Sequence, residues 1–339
     1  MKFFSFYKLN LSLVVLTLLG WLTPQANAAV LVSSFETNSV LRYDENTGGF
    51  IDVFVAPGSG GLNGPSGLAI GPDHNLYVTS ARNNSILRYN GNTGAFIDSF
   101  VAPSINKNVP EDLLFGSDGN LHIASFNVAS SGKSSISRYN GNTGAFIDNF
   151  VAPGSGGLNG PVGISFGPDD NLYVTSTVNN QILRYNGKTG AFVDTFATGG
   201  ISRVGFADLT FGPDGNLYVA NFRADSISRY DGKTGELIDL FVPTNSAGLD
   251  GPVEPIFGSD GNLYVGSSNT DVVKRYDGKT GAFIDNFIPA GSGGLDKPVA
   301  LVFVQDVPEP EPGLAVLAIG ITLALSYHSK HRKMKNPHF

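Results

Sequence analysis

The sequence predicts an all-β protein, a single six-bladed β-propeller with four antiparallel strands in each blade. Three observations lead to this prediction. An Arg-Tyr dipeptide recurs six times, and successive tyrosines are 45 to 50 residues apart. Each period contains four short apolar or alternating runs between tight turns, and no period has the 3.6-residue spacing of an amphipathic helix. Four-stranded antiparallel units at this period are typical of propeller blades.

The period 65–103 shows how the four strands arise, and we name them A to D from the axis outward. Strand A reads PSGLAI, and a Gly-Pro-Asp turn joins it to strand B, LYVTS. Strand C reads SILRY, and the Asn-Gly hairpin signal NGNTG joins it to strand D, AFIDSFV. We expect the side chains of strand D to alternate between two faces, with Phe96 on one and Ile97 on the other.

The two ends of the repeat fix the number of blades. Five complete sets of strands A to D lie at about 66–102, 110–152, 161–197, 206–242 and 252–289. A last strand A, 298–304, has no partners after it. Residues 29–56 supply its strands B to D, because AVLVSSFETNSVLRY aligns without a gap with NLYVTSARNNSILRY. The propeller therefore spans 29–304 and closes with one blade built from both chain ends, which removes free edges.

The first 28 residues are typical of a secretory signal peptide. Lys2 and Lys8 precede the mostly apolar run 11–22, and an Ala-Asn-Ala motif places cleavage between Ala28 and Ala29. An uncleaved membrane anchor is the alternative, although the apolar run is shorter than the ~20 residues that a span needs.

The C-terminal residues form three parts: a Pro/Glu linker at 305–312, an apolar segment at 313–327 and a basic tail at 328–339. An apolar segment followed by basic residues is typical of a membrane segment with a cytoplasmic basic end. A plain membrane helix is one interpretation, although the segment is short for the ~30 Å hydrocarbon core.

The order of these parts, which begins with Pro308, Glu309 and Pro310, resembles the PEP-CTERM sorting signal of Gram-negative bacteria and cyanobacteria. The resemblance implies export and recognition by an exosortase-type sorting protease. It also implies at least transient anchoring in the membrane, and a place in the outer cell envelope or extracellular matrix, where polysaccharide is a possible partner.

Composition and charge exclude several classes of function. The 339 residues include no cysteine, which excludes disulfides, thiolate catalysis and cysteine-based metal sites. The formal net charge of −7 argues against a nucleic-acid partner, because no basic face is available for phosphates.

A Gly-Pro-Asp-Gly-Asn-Leu-Tyr-Val phrase, complete at 212–219 and nearly so at 71–78 and 167–174, resembles NHL-type propellers. The streptogramin lyases and the gluconolactonase-like enzymes share it. The resemblance implies the fold, whereas one fold hosts many functions.

The catalytic motifs of those two enzyme families are not matched. The resemblance implies an Asn two positions before the apolar run of strand A in the gluconolactonase-like family. Here that position holds Ser66, Glu111, Val162, Ala207, Val253 and Val299. The resemblance also implies a catalytic His in the lyases, but His74 lies in a turn and His122 lies inside strand B. We expect His122 to be a packed substitute for Tyr, and whether the protein is an enzyme stays open.

The acidic residues near the axis form the candidate site. Asp112, Asp208 and Glu254 occupy equivalent positions just before the apolar run of strand A, and Glu111 lies beside the first of them. Like charges that converge in a channel are unfavourable unless they protonate or share a cation, and oxygen ligands suit Ca²⁺ or Mg²⁺. The alternative is that these carboxylates face a water-filled channel or accept hydrogen bonds from loop amides, with no cofactor.

The Arg and Asp residues of strands C and D, such as Arg88 and Asp98, also recur six times. A catalytic group would not be repeated in this way, so we expect a structural contact from blade to blade.

Loop variation indicates which face carries the function. The A–B and C–D turns lie on one face and are nearly identical, whereas the B–C and D–A loops lie on the other and differ most. We therefore predict an exported binding or surface-scaffolding module that takes an envelope polysaccharide or protein through the varied face. A divalent-metal-dependent hydrolase or lyase is the alternative, and a structural matrix component without a small ligand is a third possibility.

Overall fold

The computed structural model describes residues 28–103, 108–127, 134–199 and 206–304. Within these ranges the chain forms six four-stranded antiparallel sheets, arranged as the blades of a propeller. The predicted six-bladed fold is confirmed. Residues 1–27 of the predicted signal peptide and the whole sorting segment lie outside the described residues. Ala28 and Ala29, between which cleavage is predicted, belong to the described part. No helix among the described residues is long and apolar enough to span a membrane.

The strands follow the chain in order, and we number the blades from I to VI. Blade I contains β1 (Ala29–Ser34), β2 (Ser39–Asp44) and β3 (Phe50–Val55), with β24 (Pro298–Val304) as its strand A. Blade II contains β4 (Pro65–Ile70), β5 (Leu76–Ser80), β6 (Ser85–Tyr89) and β7 (Phe96–Val101). Blade III contains β8 (Asn108–Phe115), β9 (Leu121–Asn127), β10 (Ser135–Tyr139) and β11 (Phe146–Val151).

The other three blades and the short helices complete the described elements. Blade IV contains β12 (Pro161–Phe166), β13 (Leu172–Ser176), β14 (Gln181–Tyr185) and β15 (Phe192–Thr198). Blade V contains β16 (Phe206–Phe211), β17 (Leu217–Asn221), β18 (Ser226–Tyr230) and β19 (Leu237–Val242). Blade VI contains β20 (Pro252–Phe257), β21 (Leu263–Ser267), β22 (Val272–Tyr276) and β23 (Phe283–Ile288). Short 3₁₀ turns are found at Ser59–Gly61, Ala81–Asn83, Ser155–Gly157, Ser246–Gly248 and Ser292–Gly294.

The ring closes as the sequence predicts. In blade I, β1 pairs with β24, and Ala29 lies opposite Val304. The inner strands contact one another in ring order, and β24 contacts both β20 and β4. The two ends of the described propeller are therefore joined through one sheet, and Ala28–Val304 forms one compact unit.

The strand-B tyrosine of the repeated phrase packs at the boundary between adjacent blades. The Tyr77 ring packs edge-on against Phe100 of its own blade and Phe115 of the next, at centroid distances of 4.8 and 4.9 Å. Its hydroxyl donates a hydrogen bond to Asp73 Oδ2 in the A–B turn, at 3.1 Å. Tyr173, Tyr218 and Tyr264 make the same contacts in blades IV, V and VI. The phrase recurs because this one tyrosine packs in the core of its own blade, donates a hydrogen bond to the A–B turn and contacts the neighbouring blade.

His122 takes the place of this tyrosine in blade III. The residue is 1% exposed, and its ring packs edge-on against Phe150 and Phe166, at 4.7 and 5.6 Å between centroids. The expectation of a packed substitute is confirmed. Both ring nitrogens are buried and have no hydrogen-bond partner among the described residues, and burial lowers the pKa of the imidazole.

The recurrent Arg–Asp pair lies within a blade, so the expectation of a blade-to-blade contact is wrong. Arg88 on β6 lies directly opposite Asp98 on β7, and its Nη2 donates to Asp98 Oδ2 at 2.6 Å. The guanidinium also lies over the Phe100 ring of the same blade, at 5.0 Å. The pair therefore joins strands C and D.

The expected alternation along strand D also fails at its first residues. Phe96 lies opposite Tyr89 and Asp98 lies opposite Arg88, so Ile97 is an extra residue between two adjacent pairs. The pairing of β6 with β7 shifts register twice, and β7 is the outermost strand of its sheet. Bulges interrupt the two-residue period, and an edge strand has neighbours on one side only.

Candidate functional site

Each inner strand carries an irregularity at the same place. The pairing of strand A with strand B shifts register in the half of strand A that follows the D–A loop, and this shift occurs in all six blades. A bulge of this kind re-aims side chains and is common beside functional sites. Asp112, Asp208 and Glu254 lie at or directly beside the shifts in blades III, V and VI.

These three carboxylates meet at the propeller axis. One oxygen of each of Asp112, Asp208 and Glu254 lies within 4.8 Å of the other two. They line a cavity of about 410 Å³ whose remaining surface is mostly apolar. The prediction that the three acids converge is therefore correct in its geometry. Glu111 is the neighbour of Asp112 in the chain and does not line the cavity.

The aspartates also accept hydrogen bonds from backbone amides. Asp112 Oδ1 accepts from the Leu113 amide at 2.7 Å, and its Oδ2 accepts from the Ile164 amide of blade IV at 3.0 Å. Asp208 Oδ1 accepts from the Leu209 amide at 2.6 Å. Asp112 therefore links two blades, whereas the second oxygen of Asp208 accepts no amide hydrogen bond from the described residues.

Glu254 differs from the two aspartates because of the residue that follows it. Pro255 has no amide hydrogen, so the bond that Leu113 and Leu209 provide in their blades cannot form here. The backbone of Glu254 has a φ of 37°, which is unfavourable for a residue with a side chain. Residues held in strained backbone conformations cluster at functional sites.

Glycines in the neighbouring blades make room for the aspartates. A Cβ at Gly163 would lie 2.2 Å from Asp208 Oδ1, and one at Gly67 would lie 3.3 Å from Asp112 Oδ1. Around the ring, the small residues Gly67, Gly163 and Ala300 occupy the blades that have no acid at this position. The acids and the small residues therefore fit together across blade boundaries.

A second pattern on strand B was missed by the sequence reasoning. In blades I, II and IV a hydroxyl caps the amide at the shift: Ser33 Oγ accepts from Ala300, Thr79 Oγ1 from Gly67 and Thr175 Oγ1 from Gly163, at 2.8, 2.5 and 2.8 Å. In the three acid-bearing blades the same strand-B position holds Ala124, Ala220 and Gly266. A hydroxyl residue on strand B thus accompanies Gly or Ala on strand A, and Ala or Gly on strand B accompanies an acid on strand A. A comparison of these two positions across the six repeats would have revealed this exchange.

The electrostatics of the cluster favour protonation or a bound cation. Burial raises the pKa of Asp112 well above its usual range, and the charge of Asp208 raises it further, while the two amides oppose this. Burial also raises the pKa of Asp208 to about 7. The pKa of Glu254 is raised by burial and then by Asp208 and Asp112, and burial raises that of Glu111 to about 7. Ionising all of these carboxylates without a counter-ion is therefore unfavourable.

The described histidines lie away from this cavity. Neither His74 nor His122 lines it, and His122 is enclosed between Phe150 and Phe166. The cavity therefore combines three carboxylates, two hydroxyl residues and apolar side chains, with no imidazole among the described residues that line it. Such a set can hold a cation or a polar group of a ligand.

Fold and cavity together define a closed six-bladed β-propeller with an acid-bearing axial site. The chain belongs to the virginiamycin B lyase family, whose model matches residues 56–289. The resemblance to the streptogramin lyases that the sequence predicts is thereby confirmed. A comparison with curated protein sequences finds no match.

Several solved structures have a similar fold. The virginiamycin B lyase from Staphylococcus aureus is 18% identical, with a TM-score of 0.53 over 71% of this chain and 77% of that one. A gluconolactonase from Xanthomonas campestris is 20% identical, with a TM-score of 0.55 over 70% and 78%. A chain of a nidogen/laminin complex is 16% identical, with a TM-score of 0.64 over 82% and 99%. Similarity at these identities establishes the fold.

Proposed function

We propose that the protein is an exported binding module of the cell envelope, whose ligand is held over a divalent cation at the axial cavity. The convergence of Asp112, Asp208 and Glu254 within 4.8 Å carries this proposal. Three buried or partly buried carboxylates repel one another, and a cation with oxygen ligands removes that repulsion. Ca²⁺ or Mg²⁺ would leave coordination positions open to a ligand, because three carboxylates do not complete its shell.

The ligand would approach from the face with the varied loops. The acids lie in the half of each inner strand that follows the D–A loop, so this end of the cavity is nearer to the B–C and D–A loops than to the uniform turns. A rigid ring with varied loops at one end is a common arrangement for binding. An envelope polysaccharide is the ligand class that we propose, because its hydroxyl and carboxylate oxygens can complete the shell of such a cation.

Export and anchoring belong to the same proposal. The leader 1–28 would direct the chain out of the cytoplasm, and the segment that contains Pro308, Glu309 and Pro310 would be recognised by an exosortase-type protease. The apolar segment 313–327 would hold the protein at the membrane at least transiently. A fusion of 305–339 to a reporter, expressed in a host with and without an exosortase, tests this part by the processing of the tail.

Elemental analysis and a glycan array test the binding role. Residues 28–304 form one compact unit with all six blades closed, so they can be purified as the propeller. After equilibrium dialysis against about 1 mM Ca²⁺ and Mg²⁺, we expect metal in the protein compartment in excess of the dialysate for the wild type, and loss of this excess in Asp208→Ala. On an array of bacterial polysaccharides, we expect binding with Ca²⁺ and none with a chelator.

Asp231→Asn is the matched control for both measurements. Asp231 caps a C–D turn in the same blade as Asp208, and Asn90, Asn140 and Asn186 occupy its position in other blades. This variant should behave as the wild type does. Metal that persists in Asp208→Ala, or polysaccharide binding that ignores the chelator, would contradict the proposed site.

Family membership favours a second candidate, a metal-dependent lyase or hydrolase with the same acids. The relatives include a virginiamycin B lyase that was solved with quinupristin and a gluconolactonase. Turnover of virginiamycin B, quinupristin and gluconolactone by the metal-loaded propeller tests this candidate. Turnover that is lost in Asp208→Ala would favour it, whereas the absence of turnover with retained metal would favour the binding module.

A further inference from the structure

The axial cavity has a second layer of side chains beyond the three acids. On each inner strand, the residue two positions after the acid, or after the small residue that replaces it, also lines the cavity and is half-buried. In ring order from blade I, the residues of this second layer are Val302, Ala69, Leu114, Ser165, Thr210 and Ile256. Four of the six are apolar, so the acids lie at one end of a mostly apolar space.

A bound metal ion would not use this second layer. Two residues of a strand span about 6.6 Å, whereas Ca²⁺ binds its oxygen ligands at about 2.3–2.6 Å. Ile70, Phe115 and Phe303 lie further along the same cavity and add to its apolar surface. A cavity of about 410 Å³ with a few polar groups among apolar walls is typical of a site for a small organic molecule.

Glu254 indicates a ligand with hydrogen-bond donors. Its carboxylate lies deep inside the protein at the cavity, and no described residue donates a hydrogen bond to it. Buried polar groups in folded proteins almost always have a hydrogen-bond partner. Asp112 and Asp208 accept backbone amides, but an ionised carboxylate has about four acceptor positions. All three acids can therefore accept further hydrogen bonds from one shared donor group.

A primary ammonium group matches this arrangement of acceptors. It carries one positive charge and three N–H donors, and one oxygen from each of the three acids lies within 4.8 Å of the other two. Three charge-assisted hydrogen bonds of about 2.8 Å at tetrahedral angles hold their acceptor oxygens about 4.6 Å apart. The fourth bond of the nitrogen then leaves the plane of the three oxygens and can follow the axis toward the second layer.

We propose that the axial cavity binds a small primary amine, with its ammonium group at Asp112, Asp208 and Glu254 and its apolar body against the second layer. Leu114 and Ile256 follow Asp112 and Glu254 on the same strands, so the apolar wall begins directly beyond the charged groups. The inference rests on the acid site of the proposed function, but it requires no metal there. Because the amine and a divalent cation need the same oxygens, each would exclude the other.

The two layers make the cavity selective among organic cations. Tetramethylammonium carries the same charge as a primary ammonium ion but has no N–H donor, so it cannot form the three hydrogen bonds. Methylammonium has the donors but no chain that reaches the second layer. The n-butylammonium ion has both, and each CH₂ group that it buries should strengthen binding about fourfold. These three ions are therefore the probes of the proposal.

Two variants separate the acids from the second layer. Asp208→Asn keeps the shape of the side chain and removes its charge, with Asp231→Asn in an exposed turn of the same blade as its control. Val302→Thr keeps the volume of a second-layer side chain and adds a hydroxyl, on the strand that carries Ala300 instead of an acid. Asp208→Asn should weaken both primary amines, whereas Val302→Thr should weaken n-butylammonium and leave methylammonium unchanged.

Calorimetric titration of the propeller unit 28–304 with the three chloride salts, in a chelator at about pH 7 where amines are protonated, measures binding. We expect one n-butylammonium site per chain, at least tenfold weaker binding of methylammonium, and no binding of tetramethylammonium. Asp208→Asn should bind both amines at least tenfold more weakly, and Asp231→Asn should match the wild type. Thermal unfolding checks that each variant is folded.

Several results would overturn the proposal. They are no binding of n-butylammonium by the folded wild type, equal affinities for n-butylammonium and tetramethylammonium, and binding that survives Asp208→Asn. A Val302→Thr variant that binds methylammonium and n-butylammonium as the wild type does would contradict the position of the apolar body. Titration of the same protein with Ca²⁺ separates the two proposals. Calcium binding without amine binding would refute only this inference, and amine binding without calcium binding would refute only the divalent site.

Discussion

The carboxylate of Asp208 occupies the space that a side chain at Gly163 of the neighbouring blade would need. A Cβ at Gly163 would lie 2.2 Å from Asp208 Oδ1 and 2.7 Å from its Cα. The glycine at one inner strand therefore permits the acid at the next, so the cluster depends on two blades at once.

Gly163→Ala should for this reason damage both stability and cation binding. The added methyl group must push Asp208 away from Asp112 and Glu254, and overpacking of this kind costs about 1–3 kcal/mol of unfolding free energy. We expect calcium affinity to fall about tenfold or more, which corresponds to ~1.4 kcal/mol. Chemical denaturation and calorimetric titration measure the two effects. Gly49→Ala, at an exposed turn, is the control, and equal behaviour of the two variants would refute the coupling.

Asp208→Asn should stabilise the propeller when no cation is present at about pH 8. The folded pKa of Asp208 is raised to about 7 from an ordinary 3.8, so the folded state binds more protons than the unfolded state between these values. Its contribution is present at low pH and is lost as the pH rises toward and beyond 7. The amide removes this loss, and we expect a gain of about 1–2 kcal/mol at alkaline pH.

Urea denaturation in a chelator between about pH 4 and pH 8 checks this expectation. The difference between Asp208→Asn and the wild type should grow with pH and should shrink when Ca²⁺ is added. Asp231→Asn should show no such trend. A gain that does not depend on pH would mean that repulsion among the acids is not its cause.

Thr175 tests the exchange between strands A and B. Its Oγ1 accepts from the Gly163 amide at 2.8 Å and donates to the Ala207 carbonyl at 3.0 Å. Thr175→Val keeps the volume and loses both bonds, so a buried amide and a carbonyl lose their partner, at a cost of about 1–3 kcal/mol. Thr175→Ser keeps the hydroxyl and should lose less. Thermal unfolding measures the stability of the two variants. A serine variant that is less stable than the valine variant would contradict the role of the hydroxyl.

His122→Tyr should make blade III resemble its neighbours and stabilise it. A tyrosine can donate to Asp118 as Tyr77 donates to Asp73, which would contribute about 1 kcal/mol. Burial lowers the folded pKa of His122, so the wild type loses stability as the pH falls below the ordinary value of 6.5. The tyrosine variant should lose this acid sensitivity. His74→Asn, in an exposed turn, is the control, and an unchanged acid transition in His122→Tyr would contradict the assignment.

The fold could be predicted from the sequence because the same pattern of four strands and their turns occurs six times. The alignment of 29–43 with 75–89 was enough to place the ring closure, which β1 and β24 form. The convergence of Asp112, Asp208 and Glu254 followed from equivalent positions around an axis. Repetition converts a weak local signal into a strong one.

The interactions between strands could not be predicted in the same way. The register shifts on strand A bring Asp208 against Gly163. A bulge changes how two strands pair, and the sequence of a single strand does not reveal it. The alternation expected for Phe96 and Ile97 failed because a bulge beside Phe96 interrupts the two-residue period. The Arg88–Asp98 pair was recognised as structural, but its place within one blade required the strand pairing.

Calorimetric titration of Ca²⁺ and Mg²⁺ into the chelator-treated propeller tests the central claim most directly. At about pH 8 we expect one cation site per chain, with a dissociation constant of roughly 10⁻⁴–10⁻³ M, as in extracellular modules. Asp208→Asn should abolish the heat of binding and Asp231→Asn should keep it. Binding that survives Asp208→Asn, or no binding by the folded wild type, would contradict a cation site at Asp112, Asp208 and Glu254.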